Sequence, residues 1–398
     1  KLKLPYLLKK FLNESKTNNI NFIDLHRQKK VRNKNGISLK KIIDRNIKEV
    51  IKHGQYILGP EVKQLETKLK SFTGSSHCIG VSSGTDALLI ALMALGVSED
   101  DEVITTSFSF FATAEVISII KAKPIFVDID PNSYNIDHRK IEEKINPKTK
   151  AIIAVSLYGQ TANFKEINKI ANKYSIPVIE DAAQSFGAEH NGIKSCNLST
   201  IGVTSFFPSK PLGCYGDGGA CFTNNSDLAE KMRMISIHGQ EKRYLHTRIG
   251  INGRLDTIQA AILLAKIEIY PEEIKKRIEI GKYYSKKLQE IGIKTTPIIE
   301  EKNTSVFAQY TIQLNDRADI QKKLNNEGIP TAIHYPTILP LQPVYNKQFL
   351  NTNCKREFTI SYKASQKVIS LPFHPWLKKS EIKNIVDKLN LVLNTNNI

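Results

Sequence analysis

Apolar residues first follow a helical period along this chain and then change rhythm. Between residues 39 and 53 they fall at Leu39, Ile42, Ile43, Ile47, Val50 and Ile51, three and four apart, which predicts an amphipathic helix ended by Gly54. A break at Gln55-Tyr-Ile-Leu-Gly59-Pro60 is followed by a second helical pattern over 61–72. Short β-rich runs then take over at 77–82, 102–106, 124–129, 151–157, 177–180, 200–206 and 220–223, several apolar on both faces as central strands are. Helical patterns lie between most of them, at 86–95, 112–120, 138–144 and 164–174. This alternation predicts an α/β fold built on one large, mainly parallel, seven-stranded sheet. Residues 255–285 read as long helix broken at Pro271. Strands at 305–314 and 331–334 and helices at 319–327 and 379–393 then predict a smaller C-terminal α+β domain. The expected division is an N-terminal extension over 1–20, a large domain over 21–270 that includes the N-terminal helices, and a small domain over 271–398.

At 398 residues the chain is long enough for two domains. Its formal charge of +18 and pI near 9.5 suit an anionic partner. The lysines are scattered, however, and no aromatic RNP box or zinc-finger spacing accompanies them, so nucleic acid is not expected. Five cysteines without C-x-x-C spacing predict neither a disulfide framework nor a metal site and suggest a reducing compartment. The first twelve residues are basic and apolar without a continuous h-region, which reads as an extension or the remnant of a targeting segment. The longest apolar run, 87–95, is far short of the roughly 20 residues that span a bilayer, so a soluble, cytoplasmic protein is expected.

One lysine stands apart from the scattered ones. In Ser205-Phe-Phe-Pro-Ser-Lys210-Pro-Leu-Gly-Cys-Tyr-Gly-Asp-Gly-Gly219, Lys210 follows an apolar Phe-Phe-Pro and precedes a proline that favours extended backbone. A lysine shielded from water has a depressed pKa and can form a Schiff base with a carbonyl compound, the chemistry of pyridoxal phosphate (PLP). An ordinary loop lysine is the alternative, but three further segments remove its isolation. Ser82-Ser83-Gly84-Thr85-Asp86 opens from a strand directly into an apolar helix, a turn suited to a phosphate, although a plain N-cap would look the same. Glu180-Asp181 stands at the carboxyl end of a buried strand, where open α/β sheets bind ligands. An acid there can pair with a protonated pyridine nitrogen. Phe108-Ser-Phe110-Phe111-Ala-Thr113 offers an aromatic cover for the ring, core packing being the commoner fate of phenylalanine.

Together the motifs S-G-T-D-A, V-I-E-D-A-A-Q-S and S-F-F-P-S-K-x-L-G-x-x-G-D-G-G closely resemble the DegT-type sugar aminotransferases, which are fold-type I PLP enzymes. The resemblance runs from about Phe22 to the last helix. It implies that Lys210 is the Schiff-base lysine and proton shuttle, that Asp181 meets the pyridine nitrogen, Gln184 the phenolic oxygen and Phe110 the ring face. It also implies that Gly84, Thr85 and Ser205 hold the phosphate. Asn252 matches an asparagine that reaches the phosphate of a partner subunit, which implies a homodimer with shared active sites. Related dehydratases carry histidine in place of the lysine, so that activity is disfavoured.

Further segments, among them Gln55-Tyr-Ile-Leu-Gly-Pro-Glu61, Ser156-Leu-Tyr-Gly-Gln160, His238-Gly-Gln and Ala332-Ile-His-Tyr-Pro336, resemble the subgroup acting on UDP-2-acetamido-2-deoxy-3-oxo-glucuronate with L-glutamate as donor. A uronate and a diphosphate need cations, and residues 240–254 supply Arg243, His246, Arg248 and Arg254, unless this is only a solvated basic loop. Arg254, Arg243, Arg248, His334 and Tyr335 are the candidate substrate residues. The alternatives left open are another nucleotide keto sugar, such as a 4-keto-6-deoxy hexose, and a non-catalytic PLP-binding regulatory protein. The resemblance further implies cell-surface polysaccharide, including lipopolysaccharide O-antigen, as destination of the product.

Overall fold

The computed structural model describes residues 20–345 and 353–395, so most of the expected N-terminal extension lies outside the described residues. Its main sheet contains β1 (His77–Val81), β2 (Glu102–Thr106), β3 (Lys123–Val127), β4 (Thr149–Val155), β5 (Val178–Asp181), β6 (Ile201–Ser205) and β7 (Gly219–Thr223), in the order β1-β7-β6-β5-β4-β2-β3. From β3 to β6 neighbouring strands are parallel. β7 is antiparallel to both β6 and β1, so β1 again points the same way as the rest. The carboxyl ends of β1, β2, β4, β5 and β6 therefore open on a single edge, where ligands of open α/β sheets bind.

Helices that cover this sheet are α1 (Leu39–His53), α2 (Pro60–Thr73), α3 (Gly84–Ala94), α4 (Ala112–Ile119), α5 (Phe164–Lys173), α6 (Ser226–Ser236) and α7 (Thr257–Ile267), followed by the long α8 (Tyr270–Glu290). Successive strand residues alternate between two cores, as the strand period of two requires. Val103, Ile153 and Ile179 pack with α3 and α6, whereas Ile104, Ile152 and Val178 pack with Phe164 and Ile167 of α5. Because both faces are covered, these strands read as near-continuous apolar runs. Helix ends follow their local chemistry. Gly54 closes α1 in the left-handed region, and Pro60 at the first turn starts α2, which Gly74 closes in turn.

The remaining chain forms a smaller α+β unit in which β8 (Tyr310–Gln313) pairs antiparallel with β9 (Val368–Leu371), packed with α9 (Arg317–Asn326), α10 (Thr359–Lys367) and α11 (Lys379–Thr395). Its core stacks Tyr284, Phe307, Tyr310 and Phe373. The segment after Ile20 joins this core, and Arg27 pairs with Glu381 at 2.5 Å.

Two local expectations need correction, and one strand was missed. Residues 138–144 form two 3₁₀ turns, His138–Lys140 and Glu142–Lys144, because Ile141 is a single apolar anchor and not a helical stripe. The strand expected at 331–334 shrinks to one bridge, Ala332 to Ser370, since Pro330 and Pro336 on either side cannot donate to a ladder. That leaves β9, which the pattern did not single out, as the partner of β8. All five cysteines are buried and none forms a disulfide. Among the described residues no helix is long and apolar enough to cross a membrane, and no cluster of three metal-ligating side chains occurs.

Candidate active site

A cavity of about 480 Å³ opens at the shared carboxyl edge of the sheet, a size typical of small-molecule sites. Lys210, Asp181, Gln184, Ser205, Gly84 and Thr85 line it from the large unit, together with Phe110, while His334 and Tyr335 line it from the smaller one. Nine residues singled out from the sequence thus meet in one place.

At one end lies the turn between β1 and α3. Ser83 caps the helix by accepting the Asp86 N–H at 3.0 Å, and Asp86 Oδ2 in turn accepts from the Ser83 hydroxyl at 2.9 Å. The N–H groups of Gly84 and Thr85 precede the first intrahelical bond and carry the positive end of the helix dipole. A Cβ on Gly84 would sit 2.6 Å from Ser205 Cβ, so only glycine lets the turn approach the end of β6 this closely. Gly84→Ala is therefore expected to part the two segments, destabilising the fold by about 1–3 kcal/mol and weakening PLP binding about tenfold or more. A melting curve of the apoprotein and a PLP titration check the two effects.

At the other end the carboxylate of Asp181 is held from two sides. Oδ1 accepts the Ala183 N–H at 3.1 Å and Oδ2 accepts the Thr113 hydroxyl at 3.1 Å. Burial pushes its pKa up, against the Ala183 N–H, the nearby Lys210 and Thr113, which pull it down. Lys210 moves the other way: burial lowers its pKa, and the attraction of Asp181 resists that. Its turn is fixed by its own N–H, which donates to Phe207 O at 2.8 Å. A buried acid and a depressed lysine facing one cavity are the signature of a site built for proton transfer.

The third wall is a polar relay. Gln184 Oε1 accepts the Tyr158 N–H at 2.8 Å, and its Nε2 donates to the Tyr335 hydroxyl at 3.1 Å. The carboxamide is thereby fixed with its donor end toward the cavity. Tyr158 donates its hydroxyl to His334 O. His334 Nδ1 lies 2.9 Å from Ser370 Oγ, and burial and the positive Lys210 bring its pKa down to about 4, so the ring is neutral near pH 7. Phe110 is 55% exposed and leans toward Tyr335 with ring centroids 6.1 Å apart, which leaves its face free for a ligand.

Four expected residues do not line this cavity. Arg243 and Arg248 are exposed on the segment 240–250, and Asn252 is exposed as well. Arg254 pairs through its backbone with Val81, next to the phosphate-like turn, and its buried Nε lacks a partner. Sequence reasoning assigned no role to Thr113, Tyr158 or Gln309, which touch or line the site. Thr113 stands within the Phe108–Thr113 segment already singled out, whereas no pattern marked Gln309.

The family model described as the DegT/DnrJ/EryC1/StrS aminotransferase family matches residues 38–390. The chain belongs to that family. It is accordingly a PLP-dependent sugar aminotransferase. The UDP-2-acetamido-2-deoxy-3-oxo-D-glucuronate aminotransferase of Pseudomonas aeruginosa is 53% identical over 366 residues, 92% of this chain and 98% of its own. A pleiotropic regulatory protein of Geobacillus stearothermophilus is 43% identical over 354 residues, covering 88% and 94%. The solved structure of NtdA from Bacillus subtilis with bound cofactor PMP has a TM-score of 0.82 at 33% identity, covering 89% of this chain and 82% of that one. The cavity fits such a cofactor: an anion turn too tight for a Cβ, a buried carboxylate and a lysine of lowered pKa line one space.

Proposed function

We propose that this enzyme transfers an amino group from L-glutamate to C3 of UDP-2-acetamido-2-deoxy-3-oxo-glucuronate, giving the 3-amino sugar and 2-oxoglutarate. The observation that carries this reading is the meeting of Lys210, Asp181, Gln184, Gly84 and Thr85 in one cavity, in a chain so similar along its length to an enzyme named for that substrate.

Gly84, Thr85 and Ser205 would hold the phosphate of PLP, Asp181 its pyridine nitrogen, Gln184 Nε2 its phenolic oxygen, and Phe110 would cover the ring. Bound there, PLP accepts the amino group and delocalises the charge left behind when a proton departs. Lys210 Nζ then serves as the base that removes the α-proton of glutamate, its lowered pKa favouring the neutral amine. In the second half the same nitrogen returns a proton at C3 of the sugar. Neutral His334 and Tyr335 face the sugar without placing a second charge beside Lys210.

Arg254, with its unpartnered buried Nε, is the favoured cation for the uronate or diphosphate. Arg243, Arg248 and Asn252 would act from a second copy of this chain. Supporting this, the segment that carries them is exposed and apolar in places, with Tyr244 81% and Ile249 83% accessible. A cytoplasmic site agrees with five buried cysteines of which none forms a disulfide, and cell-surface polysaccharide is the destination the product suits. The regulatory reading finds no support in a cavity that keeps Lys210, Asp181 and Gln184 together.

A visible spectrum tests the assignment. PLP-loaded protein titrated with UDP-2-acetamido-3-amino-2,3-dideoxy-glucuronate, without any keto acid, is expected to lose its lysine-linked band and gain that of pyridoxamine phosphate. A band that stays unmoved, yet responds to a 4-amino sugar nucleotide, would reassign the sugar.

A further inference from the structure

Gln309 precedes β8 and lines the active-site cavity together with Lys210, His334 and Tyr335. Strand alternation explains its direction. Tyr310 points into the small unit's aromatic core, where its hydroxyl lies 2.7 Å from Ser285 Oγ. Gln309 and Thr311 face the other way, and both border a second space of about 20 Å³ behind the cavity, beside Tyr134 and Tyr158. Their polar atoms fare differently. Thr311 Oγ1 has Ser370 Oγ at 2.8 Å, but Gln309 Oε1 is buried with no hydrogen-bond partner, and among the described residues its Nε2 donates to none. The other side-chain amide lining the cavity, Gln184, is fixed at both ends.

Buried acceptors in native proteins are paired, so an unpaired one on a cavity wall marks where a bound group supplies the donor. We infer that Gln309 is a specificity-determining residue that recognises the acetamido group at C2 of the sugar through a carboxamide-to-amide hydrogen bond. This rests on the substrate reading given above. The reacting C3 must lie against Lys210, so the C2 substituent, one carbon away, falls on the adjoining wall. A primary carboxamide matches a secondary amide in both senses, accepting its N–H or donating to its carbonyl. A buried site that hydrogen-bonds an N–H rejects an analogue that lacks it.

The test uses the full-length PLP-loaded enzyme in the reverse half-reaction, with two probes: the 2-acetamido-3-amino uronate and its counterpart bearing a 2-hydroxyl, both as UDP sugars. Gln309→Met keeps the volume and removes the amide, whereas Gln309→Glu keeps one acceptor. Gln309→Met is expected to lose about 10- to 100-fold in kcat/KM toward the acetamido sugar and less than about threefold toward the hydroxyl one. Its loss in the glutamate half-reaction should be smaller than its loss toward the acetamido sugar, its melting temperature should not fall, and Gln309→Glu should recover part of the loss. Equal losses toward both sugars, or none toward either, overturn the inference; the second result assigns Oε1 to a water in the small space behind it. Wild-type enzyme that converts neither sugar overturns the substrate reading itself and this inference with it, a failure visible before any variant is made.

Discussion

Lys210→Ala is expected to abolish transamination in both half-reactions, a loss of about 10⁴-fold or more in kcat, because one nitrogen moves the proton in each. PLP should still bind. The Ser83–Thr85 turn and Ser205 do not depend on the lysine, and the Lys210 N–H to Phe207 O bond that sets the loop belongs to the backbone. The variant should therefore bind cofactor while showing the spectrum of the free aldehyde and not that of a lysine-linked form. It should also melt close to wild type, since the side chain is only half-buried. Spectra of the dialysed, PLP-loaded variant decide the matter: a persisting lysine-type band would move the assignment to another residue.

How much of this was legible beforehand depends on how locally each feature is encoded. The central strands were visible because burial on both faces leaves an unbroken apolar run, and β2 lies where its pattern put it. The motif residues were legible for the same kind of reason. Gly84, Asp181, Ser205 and Lys210 each follow or end a strand of the main sheet, so sequence order alone carries them to one edge. The order β1-β7-β6-β5-β4-β2-β3 was not legible, since no local pattern says that β7 reverses between β6 and β1.

The small unit was read less well. β9 is wholly buried and short, and its pairing with β8 joins residues more than fifty positions apart, so nothing near it announces a strand. Gln309 escaped for a related reason. Its meaning comes from what fails to meet it in space, and an amide in Ala308-Gln309-Tyr310 looks like any strand residue. Arg254 was visible as a cation but not as one whose Nε is buried; its backbone is held by the bridge to Val81. The helix expected over 138–144 shows the converse error, in which composition suggested an element that one buried isoleucine does not support.

Asp181→Asn separates activity from stability. Asparagine has nearly the same shape, can accept the Ala183 N–H through Oδ1 and can donate to the Thr113 hydroxyl through Nδ2, so both fixing contacts have a counterpart. What disappears is the negative charge that would keep the pyridine nitrogen protonated. Loss of one pre-organised electrostatic partner costs on the order of 10²–10³-fold in rate, and kcat is expected to fall in that range in both half-reactions. Stability should move the other way. Burial raises the Asp181 pKa in the folded state, so the folded protein binds this proton more tightly than the unfolded chain does. Stability is then lost as pH rises from the unfolded carboxyl value through the raised one. The apo Asp181→Asn protein should melt above the wild-type apoprotein at pH 7, and the gap should close as the solution is acidified below about pH 4, where both states carry the proton. Melting curves of the two apoproteins across that window, beside half-reaction rates at pH 7, measure both arms. An active variant would remove Asp181 from the chemistry, whereas an inactive variant that melts well below wild type at pH 7 would make the carboxylate a structural group first.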